Sequence, residues 1–303
     1  VSKYRGYEGG YTSLVPPYVV LTQSQGRFDP AGFLGPRYKP FVTGGDPNSG
    51  RFVVEGVVAQ GISDNRQRSR RKLLHDLDTL GKALPSDPNF DHLNRCEDKA
   101  YDMILGDAWK IYDLNTEKEE KREEYGRNTF GQSSLMAKRL VPSGVPFVTI
   151  NSNGWDTHKQ HFQIMQRKLA ELDAGVSTLL ADLAASGLLD STIVWCSGEF
   201  GRTPKIQWNP PWNRGRGHFG HCFSSLVAGG GFRGGQVIGS SNKTGMEVAD
   251  RPVHPRDLIG TVYGQLGIDP DSKLPNPRNL DFQVMPTSQE GAPEGGGRLK
   301  ELV

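Results

Sequence analysis

The chain has 303 residues and a formal net charge of +2, long enough for one large domain or two ordinary ones with a sizeable core. The near-balanced charge argues against nucleic acid as a partner, and the one basic run, Arg66, Arg68, Arg70, Arg71 and Lys72, reads as a solvated helix face. Cys96, Cys196 and Cys222 are odd in number and widely spaced, which indicates neither a disulfide framework nor a zinc cluster, and no apolar stretch is long enough to span a membrane.

Residues 1–60 are rich in glycine, proline and aromatics. Val15-Pro-Pro-Tyr-Val-Val-Leu21 reads as a strand entered through a stiff Pro-Pro segment. Gly32 to Gly50 carries the turn chemistry of a long surface loop, in Leu34-Gly-Pro, Gly44-Gly-Asp-Pro and Asn48-Ser-Gly. Residues 61–142 read as helical. Ser63 or Asp64 caps a helix whose apolar stripe is Leu73, Leu74, Leu77, Leu80 and Leu84, ended at Pro85. A second helix is expected over Phe90 to Leu105. Thr116 to Glu124 is a charge run expected as a solvated helix, and Tyr125 to Gln132 breaks the pattern. Ser133 to Val141 forms a further helix, stopped by Pro142 and Gly144.

Phe147 to Ile150 is a short apolar strand. The longest helical pattern follows, Thr157 to Ser186, with Gly187 where a helix C-terminal glycine belongs. Ile193 to Cys196 is the next strand. A helix between two non-alternating apolar runs implies parallel strands buried on both faces, and an α/β fold. Phe223 to Ala228 is a further strand, followed by a glycine-rich, hairpin-like turn into Gln236-Val-Ile238. That turn lacks the Lys-Ser/Thr of a phosphate-binding loop. Pro255 to Leu266 is a short helix ended by Gly267, and residues 286–303 form a polar tail expected to be disordered.

Three segments carry residues suited to chemistry. The first is Asp156-Thr-His158, just beyond the strand ending at Ile150; ligands of α/β proteins sit at such ends. A carboxylate and an imidazole suit Zn²⁺, Mn²⁺ or Fe, and suit Ca²⁺ less. The competing reading makes Asp156 or Thr157 the N-cap of the long helix, with His158 on its surface and His161 a lone exposed histidine. The second segment is Ser197-Gly-Glu199-Phe-Gly-Arg202-Thr203. Here Glu199 is a candidate ligand, and Arg202 can fork onto a phosphate or sulfate oxygen; the alternative is an internal Glu199–Arg202 pair. The third is Arg214-Gly-Arg-Gly-His218-Phe-Gly-His221, where either histidine can serve as a ligand or general acid. No Gly-x-Ser-x-Gly elbow supports a serine-hydrolase triad.

Taken together, Gly154-Trp-Asp-Thr-His158, Gly198-Glu-Phe-Gly-Arg-Thr-Pro204, Leu226 to Gly239, Asp250-Arg-Pro-Val and Leu266-Gly-Ile-Asp269 resemble the DUF1501 family, abundant in planctomycete-type bacteria. Tyr125 to Gln132 and Pro17-Tyr-Val-Val-Leu21 are similar to it as well. The resemblance implies membership of the alkaline phosphatase and sulfatase superfamily. The implied fold is a three-layer α/β/α sandwich with a mixed, mostly parallel sheet, in one domain over residues 1–285. It further implies metal-dependent hydrolysis of small-molecule or polymer-borne phosphate or sulfate esters, and a periplasmic or otherwise extracytoplasmic location. Asp156, His158, Glu199 and His218 would hold the metal, Zn²⁺ or Mn²⁺ ahead of Ca²⁺, and Arg202 would lie beside it and stabilise anionic oxygens. Two positions depart from the pattern: Glu199-Phe200 stands where the superfamily has Asp-His, and Gly217 where the family has an acidic residue. Family members also carry an upstream export signal, first core strand, early Asp ligand and nucleophile position that nothing here matches. On this reading the chain is the C-terminal part of a longer protein. The alternative is a non-catalytic extracytoplasmic binding or scaffold protein that keeps the fold.

Overall fold

The computed structural model describes residues 1–24, 31–50, 52, 54, 62–78, 97–98, 100–106, 108–276, 278–285 and 294–303. The architecture is mixed α/β, with a small parallel sheet and helices. The chain divides into two compact units: residues 2–31 with 36–151, and residues 152–303 with Val1 and 32–35.

The first unit is built on a three-stranded parallel sheet in the order β2-β1-β3, where β1 is Tyr18–Leu21, β2 is Phe41–Val42 and β3 is Phe147–Ile150. Leu21 pairs with Ile150 and Val20 with Val42. The central strand is buried, with Val19 and Leu21 fully so, as a non-alternating apolar run requires. β2 lies inside the stretch expected to be only loop, recruited by the free side of β1.

Helix α1 (Asp64–Leu77) is capped by Ser63, whose hydroxyl accepts from the Arg66 amide at 3.3 Å. Its expected inward stripe is not buried. Leu73, Leu74 and Leu77 are 57%, 51% and 66% exposed, because no described element covers that face; Leu80 and Leu84 lie outside the described residues. Residues 97–98 and 100–105, within the second expected helix, are helical. Helices α2 (Ala108–Tyr112) and α3 (Glu119–Glu124) follow. The charge run is not wholly solvated: Arg122 is buried, and its Nε donates to Gln132 Oε1 at 2.7 Å. Gln132 returns the bond to the Arg122 carbonyl at 2.8 Å, so the buried guanidinium gains a polar partner. Helix α4 (Thr129–Leu140) starts at Asn128, whose side chain accepts from the Gly131 amide at 2.9 Å. It buries Leu135, Met136 and Leu140 beside β3.

In the second unit α5 (His161–Ala185) ends as its sequence dictates. Gly187 takes a φ of 68°, and the Leu188 amide reaches back to the Leu183 carbonyl at 2.8 Å. Strand β4 (Val194–Ser197) is not the parallel core strand expected. It pairs antiparallel with β7 (Ser225–Ala228), Val194 opposite Ala228. Burial in β4 alternates, Trp195 and Ser197 exposed, Val194 and Cys196 half-buried, as in a two-stranded antiparallel pair covered on one side. Between them, β5 (Gly201–Arg202) pairs antiparallel with β6 (His218–Phe219).

Gln236 to Ile238 is not a strand, and Val237 is 90% exposed. The next pair is β8 (Ser240–Ser241) with β9 (Val248–Asp250). Helix α6 (Pro255–Gln265) opens with a reciprocal cap: His254 Nδ1 accepts from the Arg256 amide at 3.3 Å, and Asp257 Oδ2 accepts from the His254 amide at 2.9 Å. Residues 294–303, expected to be disordered, are held. Leu299 and Leu302 are buried with Leu258, the Leu299 amide donates to Thr261 Oγ1 at 2.9 Å, and Arg251 pairs with Glu301 at 2.6 Å. The tail composition is polar, but two leucines at a spacing of three supply an apolar anchor. Residues 286–293 lie outside the described residues.

Candidate metal centre

The residues between β3 and α5 are not spent on capping. Gly154 takes a φ of 84°, which a side chain disfavours, and turns the chain into Trp155-Asp156. Helix α5 begins only at His161. Its N-cap is Gln160, left-handed at φ 51° and without a side-chain cap bond. Neither Asp156 nor Thr157 therefore caps the long helix. Thr157 is buried and its hydroxyl meets His161 Nδ1 at 2.7 Å. His161 is buried, not the exposed residue expected. Burial holds its imidazole below the ordinary value, and the Arg216 and Arg202 charges add to the effect.

Asp156 is thus free to gather other partners. Its Oδ1 lies 2.8 Å from His158 Nε2, 2.8 Å from His218 Nε2 and 2.8 Å from Arg202 Nη2. One ligand atom each from Asp156, His158 and His218 falls within 4.8 Å of the other two. The carboxyl titrates down at about 2, chiefly because His218 and Arg202 hydrogen-bond the ionised form. It is an anion throughout the neutral range.

An irregular antiparallel ribbon brings His218 and Arg202 together. Arg202 on β5 faces His218 on β6 as a cross-strand pair, so both side chains leave the same face. The ribbon continues through Thr203, whose amide donates to the Gly217 carbonyl at 3.0 Å, to a bridge between Gln207 and Gly215. Gly215 lets the returning strand pass the first segment: a Cβ there would stand 1.5 Å from the His158 carbonyl oxygen. Arg202 is further pinned by bonds to the Trp155 carbonyl at 2.8 Å and the Arg216 carbonyl at 3.3 Å. Its carboxylate partner is Asp156. The Glu199–Arg202 pair weighed from the sequence is not among the ion pairs of the described residues.

Aromatic rings frame the imidazoles. His158 lies 4.7 Å from the Trp212 ring and His218 lies 4.5 Å from Phe200. Sequence reasoning missed Trp212 and Gly215; the glycines between Arg214 and His218 were the available signal. His158 Nδ1 is buried without a hydrogen-bond partner. Glu199 is exposed and is not part of the three-residue group, and His221 is exposed and packs against Phe219. Of the four expected ligands, the structure brings together Asp156, His158 and His218. The donor set of two imidazole nitrogens and one carboxylate oxygen fits a divalent transition metal with open positions. Cys196 is not part of the three-residue group.

A family model described as "Protein of unknown function (DUF1501)" matches residues 6–291. Comparison with curated proteins gives no match, and comparison with solved structures gives none either.

Proposed function

The chain belongs to the DUF1501 family, and from that premise we propose that it is a metal-dependent hydrolase of phosphate or sulfate esters with an alkaline phosphatase-like, three-layer α/β/α architecture. The observation that carries the reading is the meeting of Asp156, His158 and His218, which are up to 62 positions apart in sequence, with their ligand atoms within 4.8 Å. These three residues would hold Zn²⁺ or Mn²⁺; hard, oxygen-seeking Ca²⁺ suits two imidazoles less well. A bound metal supplies Lewis-acid polarisation of an ester oxygen.

The protein's own residues supply the rest. Asp156 remains ionised at any working pH. Arg202 already offsets that negative charge, so the cation's own charge is left over for an anionic substrate. The fork of Arg202 is fixed by Asp156 and two backbone carbonyls, which keeps it preorganised beside the anion. The side chain of Asp156 is 67% exposed and that of His218 50%, so the centre is open to incoming solute. Glu199 would join as a further ligand only by swinging in from solvent. An extracytoplasmic location accompanies this reading through the family resemblance.

Calorimetric titration with Mn²⁺ and Zn²⁺ tests the centre, with the Asp156→Ala/His158→Ala variant losing the metal. Unchanged stoichiometry in that variant refutes it. A second reading, a non-catalytic binding protein with the same fold, is favoured by the unpartnered His158 Nδ1 and by Glu199 lying outside the group. Turnover of aryl phosphates or aryl sulfates by the metal-loaded protein separates the two; metal binding with no turnover of either leaves the second.

A further inference from the structure

Asp156 stands at the apex of a three-residue turn, because the Thr157 amide donates to the Trp155 carbonyl at 2.9 Å. So short a turn fixes its central residue only if both flanks are held. One flank is held by Arg202, whose Nη2 bonds the Trp155 carbonyl and Asp156 Oδ1, each at 2.8 Å. The other flank is Thr157, whose side chain is buried while that of Asp156 faces solvent. Its hydroxyl meets His161 Nδ1 at 2.7 Å. His161 is itself buried and is the first residue of α5, a helix of 25 residues.

The Thr157–His161 bond closes a loop of three residues, His158, Lys159 and Gln160, with the ligand His158 inside it. The loop does not hold itself. Lys159 and Gln160 are exposed, and Gln160 is left-handed at φ 51° with no side-chain cap bond, a state that costs a non-glycine residue about 1–2 kcal/mol. The buried bond at its base ties it to a long helix, and metal ligands keep their geometry through such partners behind them. We propose that His161 is a positioning residue of the centre: through Thr157 it sets the turn that presents Asp156 and the loop that presents His158, so that both meet His218. The role rests on the reading of Asp156, His158 and His218 as a metal centre, to which His161 contributes no ligand atom.

The test measures Mn²⁺ affinity by calorimetry in single and double variants. His161→Phe keeps a ring without the nitrogen, and Thr157→Val keeps the shape without the hydroxyl. Each is expected to weaken Mn²⁺ binding about tenfold or more, as losing a partner behind a metal ligand does. The double variant loses no more than either single, because both break one bond. His161→Asn, which sets an amide atom where Nδ1 stood, and Thr157→Ser retain most of the native affinity. Leu302→Ala, a destabilising change at the docked tail, leaves it unchanged. Native affinity in both single variants overturns the positioning role. So do additive losses in the double variant, an Asn variant as weak as the Phe one, or an equal loss in Leu302→Ala. A second readout needs no metal: in nitrogen NMR of the imidazoles, Thr157→Val is expected to shift both His158 and His218, and unmoved His218 signals overturn the role. An Asp156→Ala/His158→Ala variant that keeps its metal refutes the centre, and the imidazole shifts then decide the positioning by themselves.

Discussion

Arg202 and His218 stand opposite each other across a two-residue antiparallel ladder, and both reach the same oxygen of Asp156 at 2.8 Å. Cross-strand partners point to one face, so the ladder delivers a fixed cation and an imidazole to one carboxylate. Asp156→Asn keeps the shape and removes the charge. Metal affinity is expected to fall by more than the roughly 10–100-fold that losing an outer-shell partner costs. Calorimetry with Mn²⁺ measures it, and an Asn variant with native affinity would mean that the carboxylate is no ligand.

The Asp156 carboxyl should titrate far below an ordinary aspartate. Its pKa is lowered from 3.8 to about 2 by the bonds from His218 and Arg202. A depressed acid contributes to stability above its unfolded value, and that contribution is lost as pH falls through about 2. Carbon-detected NMR of the metal-free protein should place the midpoint near the lower value. In His218→Ala it should move up toward 3.8, the ordinary value.

His161 gives a pH effect in a different window. Its pKa is lowered by burial, so the unfolded chain binds the proton more readily than the native one. Stability from this residue is full above the unfolded value of about 6.5 and is lost as pH falls below it. Thermal melts should show a drop from pH 8 to pH 5 that His161→Phe reduces. Thr157→Val, which strips the 2.7 Å partner from a buried ring nitrogen, should cost about 1–3 kcal/mol.

Gly215 and Gly217 make a matched pair. An added Cβ at Gly215 meets the His158 carbonyl oxygen at 1.5 Å, whereas at Gly217 it meets the end of the Gln207 side chain at 3.3 Å. Backbone cannot yield as a side-chain tip can. Gly215→Ala is expected to destabilise by about 1–3 kcal/mol or more and to abolish metal binding, and Gly217→Ala to do little. Denaturant melts with metal titration would show it; equal behaviour of the two variants would remove the close approach as a determinant.

The last ten residues should matter to stability. Leu302 is 7% exposed against Leu258 and Leu299, and Leu302→Ala should cost about 2 kcal/mol or more. Deleting residues 299–303 should lower the melting temperature further. A truncated chain as stable as the full one would mean that the tail is not docked.

Signals confined to neighbouring residues were legible without coordinates. The apolar run ending at Leu21 is a buried strand, Ser63 caps α1, Gly187 ends α5, and Pro255 opens α6. Backbone sterics and hydrogen bonds within a few residues settle such features. The partners of each strand were not legible. The run at Val194 reads as a parallel core strand, yet it pairs antiparallel with β7, since pairing is chosen by what lies alongside. The role of Asp156 was likewise ambiguous between cap and ligand. Only folding decides it: the helix starts beyond Gln160, and a ribbon folded from residues 201–219 carries Arg202 and His218 to the carboxylate. The sequence alone determined which side chains were able to bind a cation. The tertiary structure decided that three of them meet and that Glu199 stays in solvent, because charge and coordination act over a few ångströms of space, whatever the separation along the chain.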